Sequence, residues 1–117
     1  MLTRSHRLTS SDLFAQTIRR GRRAGTATLV LHLGAAPQTL AAPSPQVGFV
    51  VSKAVGPAVT RNLVKRRLRH LARERVTSLP DSTVLVVRAL PAAAAASYAG
   101  LGADFDSALN RLTGSAA

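Results

Sequence analysis

Seven of the residues from Arg61 to Arg75 are Lys or Arg (positions 61, 65, 66, 67, 69, 73 and 75), against a single acid, Glu74. Their chemistry is recognition of phosphate. A guanidinium donates in a fixed fork that matches two phosphate oxygens, and its plane stacks on bases. Groups that could break a bond do not assemble. The acids Asp12, Glu74, Asp81, Asp104 and Asp106 form no paired set of the kind two-metal hydrolysis needs. His6, His32 and His70 lack ligand spacing. No glycine-rich phosphate loop ends in Lys-Ser or Lys-Thr, and the absence of Cys removes any thiolate metal site. No catalytic residue and no metal-ligating residue is expected. His70, alone on the basic stretch, reads as a solvated surface residue.

A helix must position these cations. Gly56 breaks the preceding element, and Pro57 suits a first helical turn, where its missing N–H is not needed. No further Gly or Pro occurs before Pro80, so the stretch predicts a helix over about 57–74. At about 100° per residue from Arg61, the residues Lys65, Arg69, Asn62, Arg73 and Arg66 fall between about 40° and 140°. Val64, Leu68 and Leu71 fall between about 280° and 340°. Val59, Leu63 and Arg67 lie between the two faces. The like charges Arg61, Lys65, Arg69 and Arg73 follow one another at i,i+4 and repel. A merely solvated helix would interleave Glu with Lys, whereas a bound polyanion would relieve this repulsion.

A chain of 117 residues, 46% of them apolar, predicts one small domain over 1–117 with a buried core. Three Phe and one Tyr make that core aliphatic. The N-terminal Met-Leu-Thr-Arg-Ser-His-Arg-Leu is not followed by an apolar run of signal-peptide length, and no run is long enough for a membrane span. Together with the lack of Cys, this fits a reducing cytoplasm. The net charge of +11 is unevenly placed: residues 1–75 carry +12 and residues 76–117 carry −1. Nucleic acid is therefore the leading partner class. An anionic membrane suits the chain less well, because the apolar stripe is narrow and lacks interfacial aromatics. Arg outnumbers Lys fourteen to two, a bias that phosphate recognition and a GC-rich genome would both produce.

The remaining elements follow from periodicity. Thr9 or Ser10 can cap a helix running from about Ser11 to Arg20, with Asp12 at its positive end and Gly21 as its stop. Leu13, Phe14, Thr17 and Ile18 share one side. Arg19-Arg20-Gly21-Arg22-Arg23 adds a second basic cluster. Ala24 to Leu33 alternates as a strand, and 34–46, with three Pro, reads as a flexible loop. Val47 to Ser52 is a second strand, expected to pair antiparallel with the first across that loop. Thr83 to Val87 is a β-branched run, hence a buried central strand. The strands over 47–53 and 83–88, joined by the basic helix, should be parallel neighbours. The general rule would make that crossover right-handed. Ser97 caps a last helix with Leu101, Phe105, Ala108 and Leu112 on one face, and 113–117 is a frayed tail.

Val50-Val51-Ser52-Lys53, Val55-Gly56, Ala58-Val59, Arg61-Asn62 and Lys65-Arg66-Arg67-Leu68-Arg69 together resemble the signature of the protein subunit of bacterial ribonuclease P. Arg7-Leu8, the Phe14 helix, Arg19-Arg20-Gly21, Val84 to Arg88 and Ser97-Tyr98 agree with that family in order, over roughly residues 4–112. The resemblance implies an α+β fold, αβββαβα: a two-layer sandwich like the second domain of a small-subunit ribosomal protein. Its four-stranded sheet has a left-handed βαβ crossover and a short extra strand near Arg23–Thr26. It implies a protein that assists a catalytic RNA, which with Mg²⁺, bound mainly through the RNA, removes the 5′ leader of precursor tRNA. Carried over by position, Arg61, Asn62, Lys65, Arg66, Arg67, Arg69 and Arg73 would bind the RNA subunit. Arg7, Phe14, Ile18, Arg19, His32, Ser52 and Lys53 would bind the leader, with bases stacked on a wall that includes Phe14 and Ile18. The implied partners are the RNA subunit and the leader, with no obligatory protein partner.

The chain departs from that family at three positions. Leu63 stands where the motif Arg-Asn-Arg places its second Arg, Ile18 where a second aromatic is usual, and His32 where Tyr is frequent. Leader stacking should be weaker in consequence, and His32 could make it pH-sensitive. Other readings compete. A structural, ribosomal-type RNA-binding protein explains the charge but not the order of motifs. A DNA-binding domain lacks a helix-turn-helix or zipper, and a stand-alone nuclease lacks its acids.

Overall fold

The computed structural model describes residues 11–35, 45–80 and 83–114. In chain order they form α1 (Ser11–Arg20), β1 (Arg22–Gly25), β2 (Leu29–Ala35), β3 (Gln46–Val50), α2 (Ala58–Arg75), β4 (Thr83–Ala89) and α3 (Tyr98–Thr113). Short 3₁₀ turns over 53–55, 76–78 and 91–94 join them. Arg4, Arg7 and the capping residues Thr9 and Ser10 lie outside the described residues, as do 36–44 of the expected loop and 115–117 of the expected tail.

The helix ends follow the chemistry of their terminal residues. Asp12 sits in the first turn of α1, and Arg19 and Arg20 in its last, each favoured by the helix dipole. The Gly21 N–H closes α1 on the Thr17 carbonyl at 2.9 Å. A Cβ at Gly21 would lie 2.5 Å from that carbonyl oxygen and 2.8 Å from the Leu33 oxygen, so only glycine lets the chain pass straight from helix into β1. Pro57 is the N-cap of α2 rather than its first residue. Ser97 caps α3 by accepting a hydrogen bond from the Gly100 N–H at 3.0 Å. Gly114 ends α3 in the left-handed conformation, so Thr113 belongs to the helix and not to a tail.

The sheet order is β1-β2-β4-β3. β1 pairs antiparallel with β2, and β2 antiparallel with β4, whereas β3 pairs parallel with β4. The short extra strand is therefore present, and the strands flanking α2 are parallel neighbours. The expected antiparallel pairing of the 24–33 strand with the 47–52 strand does not form. β4 lies between them because its run of four buried residues has to be covered on both edges as well as both faces. The supposed single strand over 24–33 is also two, with a turn in which Thr26 Oγ1 accepts from the Leu29 N–H at 3.1 Å. The supposed loop is shorter at both ends, since Gly34 and Ala35 extend β2 and Gln46 opens β3.

One sheet face carries Leu29, Leu31, Val47, Leu85 and Val87 into the main core. They meet Val64, Leu68, Leu71 and Ala72 of α2 and Leu101, Phe105 and Ala108 of α3. The narrow apolar stripe of α2 is thus its buried side. The other face is covered only in part, by α1 across β2 and β4. Leu13 packs there on Val84 and Val86, and Thr17 is buried beside Gly34.

Candidate nucleic-acid interface

Two surfaces hold the residues singled out by the sequence. The first is the outward face of α2. Asn62, Arg66, Arg69 and Arg73 are exposed, while Arg61 and Lys65 are half-buried. Asn62, Lys65, Arg66, Arg69 and His70 line an open groove of about 410 Å³ along the helix. Gly56, at φ 154° in a region only glycine adopts at low cost, turns the chain into α2 and presents its carbonyl to Arg61 Nε at 3.2 Å.

No carboxylate neutralises this face among the described residues. Three of the acids are engaged elsewhere. Asp106 accepts two hydrogen bonds from Arg75, at 2.5 and 3.1 Å, and Glu74 lies 4.0 Å from the same guanidinium. Asp104 accepts from Thr28 Oγ1 at 2.6 Å. The bond to Asp106 raises the Arg75 pKa further, and its guanidinium lies over the Phe105 ring, 5.7 Å from the centroid. Arg75 is therefore a packing residue on the buried side, and its charge does not add to the outer arc. Arg67 is also partly withdrawn. It is half-buried, and its Nη1 donates to the Ala96 carbonyl at 3.2 Å.

The second surface is the cleft beside α1. Phe14 and Ile18 are half-buried and pack with Val50 against the α1 side of the sheet. Leu13 and Thr17, not Phe14 and Ile18, are the buried members of that helix side. Ser52 and Lys53, exposed, follow β3 into the 3₁₀ turn, and the Ser52 side chain makes no capping bond there. Arg19 is exposed on α1, about 100° around the helix from Ile18. Arg7 is outside the described residues.

His32 stands apart from the rest of its set. It is 1% exposed, so as it sits it offers no free ring face to a base. Register places it between Arg23 on β1 and Val86 on β4. Its Nε2 lies 3.5 Å from Arg88 Nη1, which can only donate, so the neutral ring carries its proton on Nδ1. That Nδ1 is buried and has no partner among the described residues. Burial first, and then the charges of Arg88 and Arg23, lower the His32 pKa from 6.5, which favours the neutral form. Arg88 and Arg23 were missed as members of this surface. Only the strand register, which sets Arg88 opposite Val30 and Val50, brings them to His32 and the cleft.

Comparison with known proteins agrees with this geometry. The profile of the Ribonuclease P family matches residues 2–113. The chain belongs to the ribonuclease P protein family. It is 59% identical over 112 residues to the ribonuclease P protein component of a Nocardioides species, covering 96% of this chain and 95% of that one. It is 54% identical over 123 residues to that of Streptomyces avermitilis, covering 100% and 99%. Among solved structures, the RNase P protein of Staphylococcus aureus superposes with a TM-score of 0.79 at 19% identity, over 91% of this chain and 94% of that one. The RNase P protein of Thermotoga maritima superposes at 0.72 and 20% identity, over 91% and 94%. At those identities the structures establish the shared fold, and the curated relatives establish the family. A bacterial ribonuclease P protein subunit, an RNA-binding component of a tRNA-processing ribonuclease, is the result.

Proposed function

We propose that the chain binds the catalytic RNA of ribonuclease P through the outer face of α2 and holds the 5′ leader of precursor tRNA in the cleft beside α1. The observation that carries this reading is the uncompensated cationic face. Lys65, Arg66, Arg69 and Arg73 pair with no carboxylate among the described residues, while Asp104, Asp106 and Glu74 are engaged at other places. Phosphates arriving on α2 would relieve the repulsion built into the helix and release counterions. The cleft supplies what an unpaired strand needs: an aromatic wall at Phe14, an apolar flank at Ile18 and Val50, and cations at Lys53 and Arg88.

In this reading the RNA carries the hydrolysis, and Mg²⁺ is bound mainly through its phosphates. Asp104, Asp106 and Glu74 do not fit a magnesium site, being hydrogen-bonded to Thr28 or paired with Arg75. The protein's part is to neutralise, orient and hold. The reading extends to a single unit over 1–117, acting in the cytoplasm with no further protein subunit. No helix among the described residues is long and apolar enough to cross a membrane.

Reconstitution tests it. The chain is mixed with a bacterial ribonuclease P RNA and precursor tRNA at low Mg²⁺, beside protein-alone and RNA-alone controls. Strong cleavage only in the mixture is expected. Cleavage by protein alone would reveal an active site in the chain. Tight RNA binding without any effect on cleavage would leave a structural RNA-binding protein.

A further inference from the structure

A further groove adjoins the outer face of α2 and shares Arg66 and His70 with it. It lies between α2 and the start of α3, measures about 570 Å³, and is lined by Leu63, Arg66, Arg67, His70 and Tyr98. That volume falls within the range of about 300–1,000 Å³ common for small-ligand sites. Tyr98 is 40% exposed, whereas Phe105 is fully buried and Phe49 packs on the main core. Ser97, by capping α3, fixes Tyr98 as the first residue of that helix. The bond from Arg67 to the Ala96 carbonyl holds a guanidinium in the groove next to it. Leu63, at the position of the missing second Arg of the motif, supplies apolar surface there instead of charge.

An aromatic face and a Leu side chain, rimmed by two Arg and a His with no acid in the lining, complement a planar apolar ring tethered to an anion. We propose that this groove takes one unpaired nucleobase of the RNA subunit, stacked on Tyr98 and against Leu63, with its phosphate on the exposed Arg66. The proposal rests on α2 engaging the RNA subunit and goes on to name what the adjoining groove reads. A base-paired stem presents only phosphates at its rim and leaves the Tyr98 face unused. A second copy of the chain, itself carrying +11, is disfavoured by its charge.

Tyr98 is the only Tyr, and the chain has no Trp, so its fluorescence reports on this groove alone. The full chain is titrated with ribonuclease P RNA while filter retention measures binding, and a fully paired RNA duplex serves as control. Quenching that saturates together with retention is expected for the RNA subunit, and retention without quenching for the duplex. Tyr98→Ala should weaken retention of the RNA subunit by about fivefold or more, and Tyr98→Phe by less than about twofold, since a phenyl ring still stacks. Tyr98 is half-exposed at a helix start, and Ala is a good helix former, so the variant should fold; circular dichroism checks this. Wild-type retention by Tyr98→Ala, no quenching by the RNA subunit, or equal quenching by the duplex would each overturn the groove assignment while leaving α2 as an RNA-binding face. No retention of the RNA subunit at all would overturn both.

Discussion

The outer face of α2 and the cleft beside α1 are both basic, yet they are built on opposite terms. On α2 Arg66, Arg69 and Arg73 stand exposed along the helix, and the one acid of the helix, Glu74, lies against Arg75. Such a face reads phosphate positions and salt, not base identity. In the cleft the cations are few. Arg88 is half-buried on the sheet, and a neutral His32 lies beneath with one nitrogen unpartnered. The wall is Phe14, Ile18 and Val50. Stacking and exclusion of water have to carry recognition there. In the proposed reading this difference matches a long, structured polyanion to α2 and a short unpaired strand to the cleft.

The largest expected effect is on α2. Replacing Arg66 and Arg69 together by Ala should weaken binding of the RNA subunit by about tenfold or more and lower the slope of log affinity against log salt by about two. Titrations at several salt concentrations measure this. An unchanged slope would remove those side chains from the interface. The same slope change from Arg67→Ala would erase the distinction between exposed cations and one already bonded to Ala96.

Phe14→Ala is the corresponding test of the cleft. Loss of a stacking platform should weaken precursor tRNA binding by about fivefold or more and leave mature tRNA nearly unaffected. Equal losses on both would place Phe14 in the core with Leu13.

A smaller effect belongs to His32. Its pKa is lowered from 6.5 by burial and by Arg88 and Arg23. Between the folded and unfolded values the unfolded chain binds a proton that the folded chain does not, so stability falls as pH drops through that window. The contribution is fully present above 6.5 and fades below it. The difference between urea midpoints at about pH 7.5 and about pH 5.5 should therefore be smaller for His32→Leu than for the parent chain, whose other titrating groups are common to both. An identical pH response would mean that His32 titrates as a free imidazole.

Much of this architecture is legible in the residues themselves. The three helices follow from apolar spacing, and their ends from Gly21, Pro57 and Ser97, because those signals are local. The central position of β4 follows from its unbroken β-branched run. Strand partners are not local. The strand–helix–strand order pairs Val47 with β4, as observed, but nothing near Val47 says that β4 will then stand between it and β2. The site divides in the same way. The arc of α2 can be drawn from a 3.6-residue period, but the period does not show that Arg61, Arg67 and Arg75 bond to Gly56, Ala96 and Asp106. The cleft depends on cross-strand register, so Arg23 and Arg88 stay hidden in the sequence, and His32, expected to bind the leader, is buried by its strand.

The central claim is that two surfaces serve two RNAs, and one ratio tests it: affinity for precursor tRNA over affinity for mature tRNA, measured with saturating RNA subunit. It would be determined for the parent chain, the Arg66→Ala/Arg69→Ala variant and Phe14→Ala. The account predicts that the α2 variant leaves the ratio within about twofold of the parent, whereas Phe14→Ala lowers it by about fivefold or more. A comparable drop in both variants, or a drop in the α2 variant alone, would contradict the division of labour.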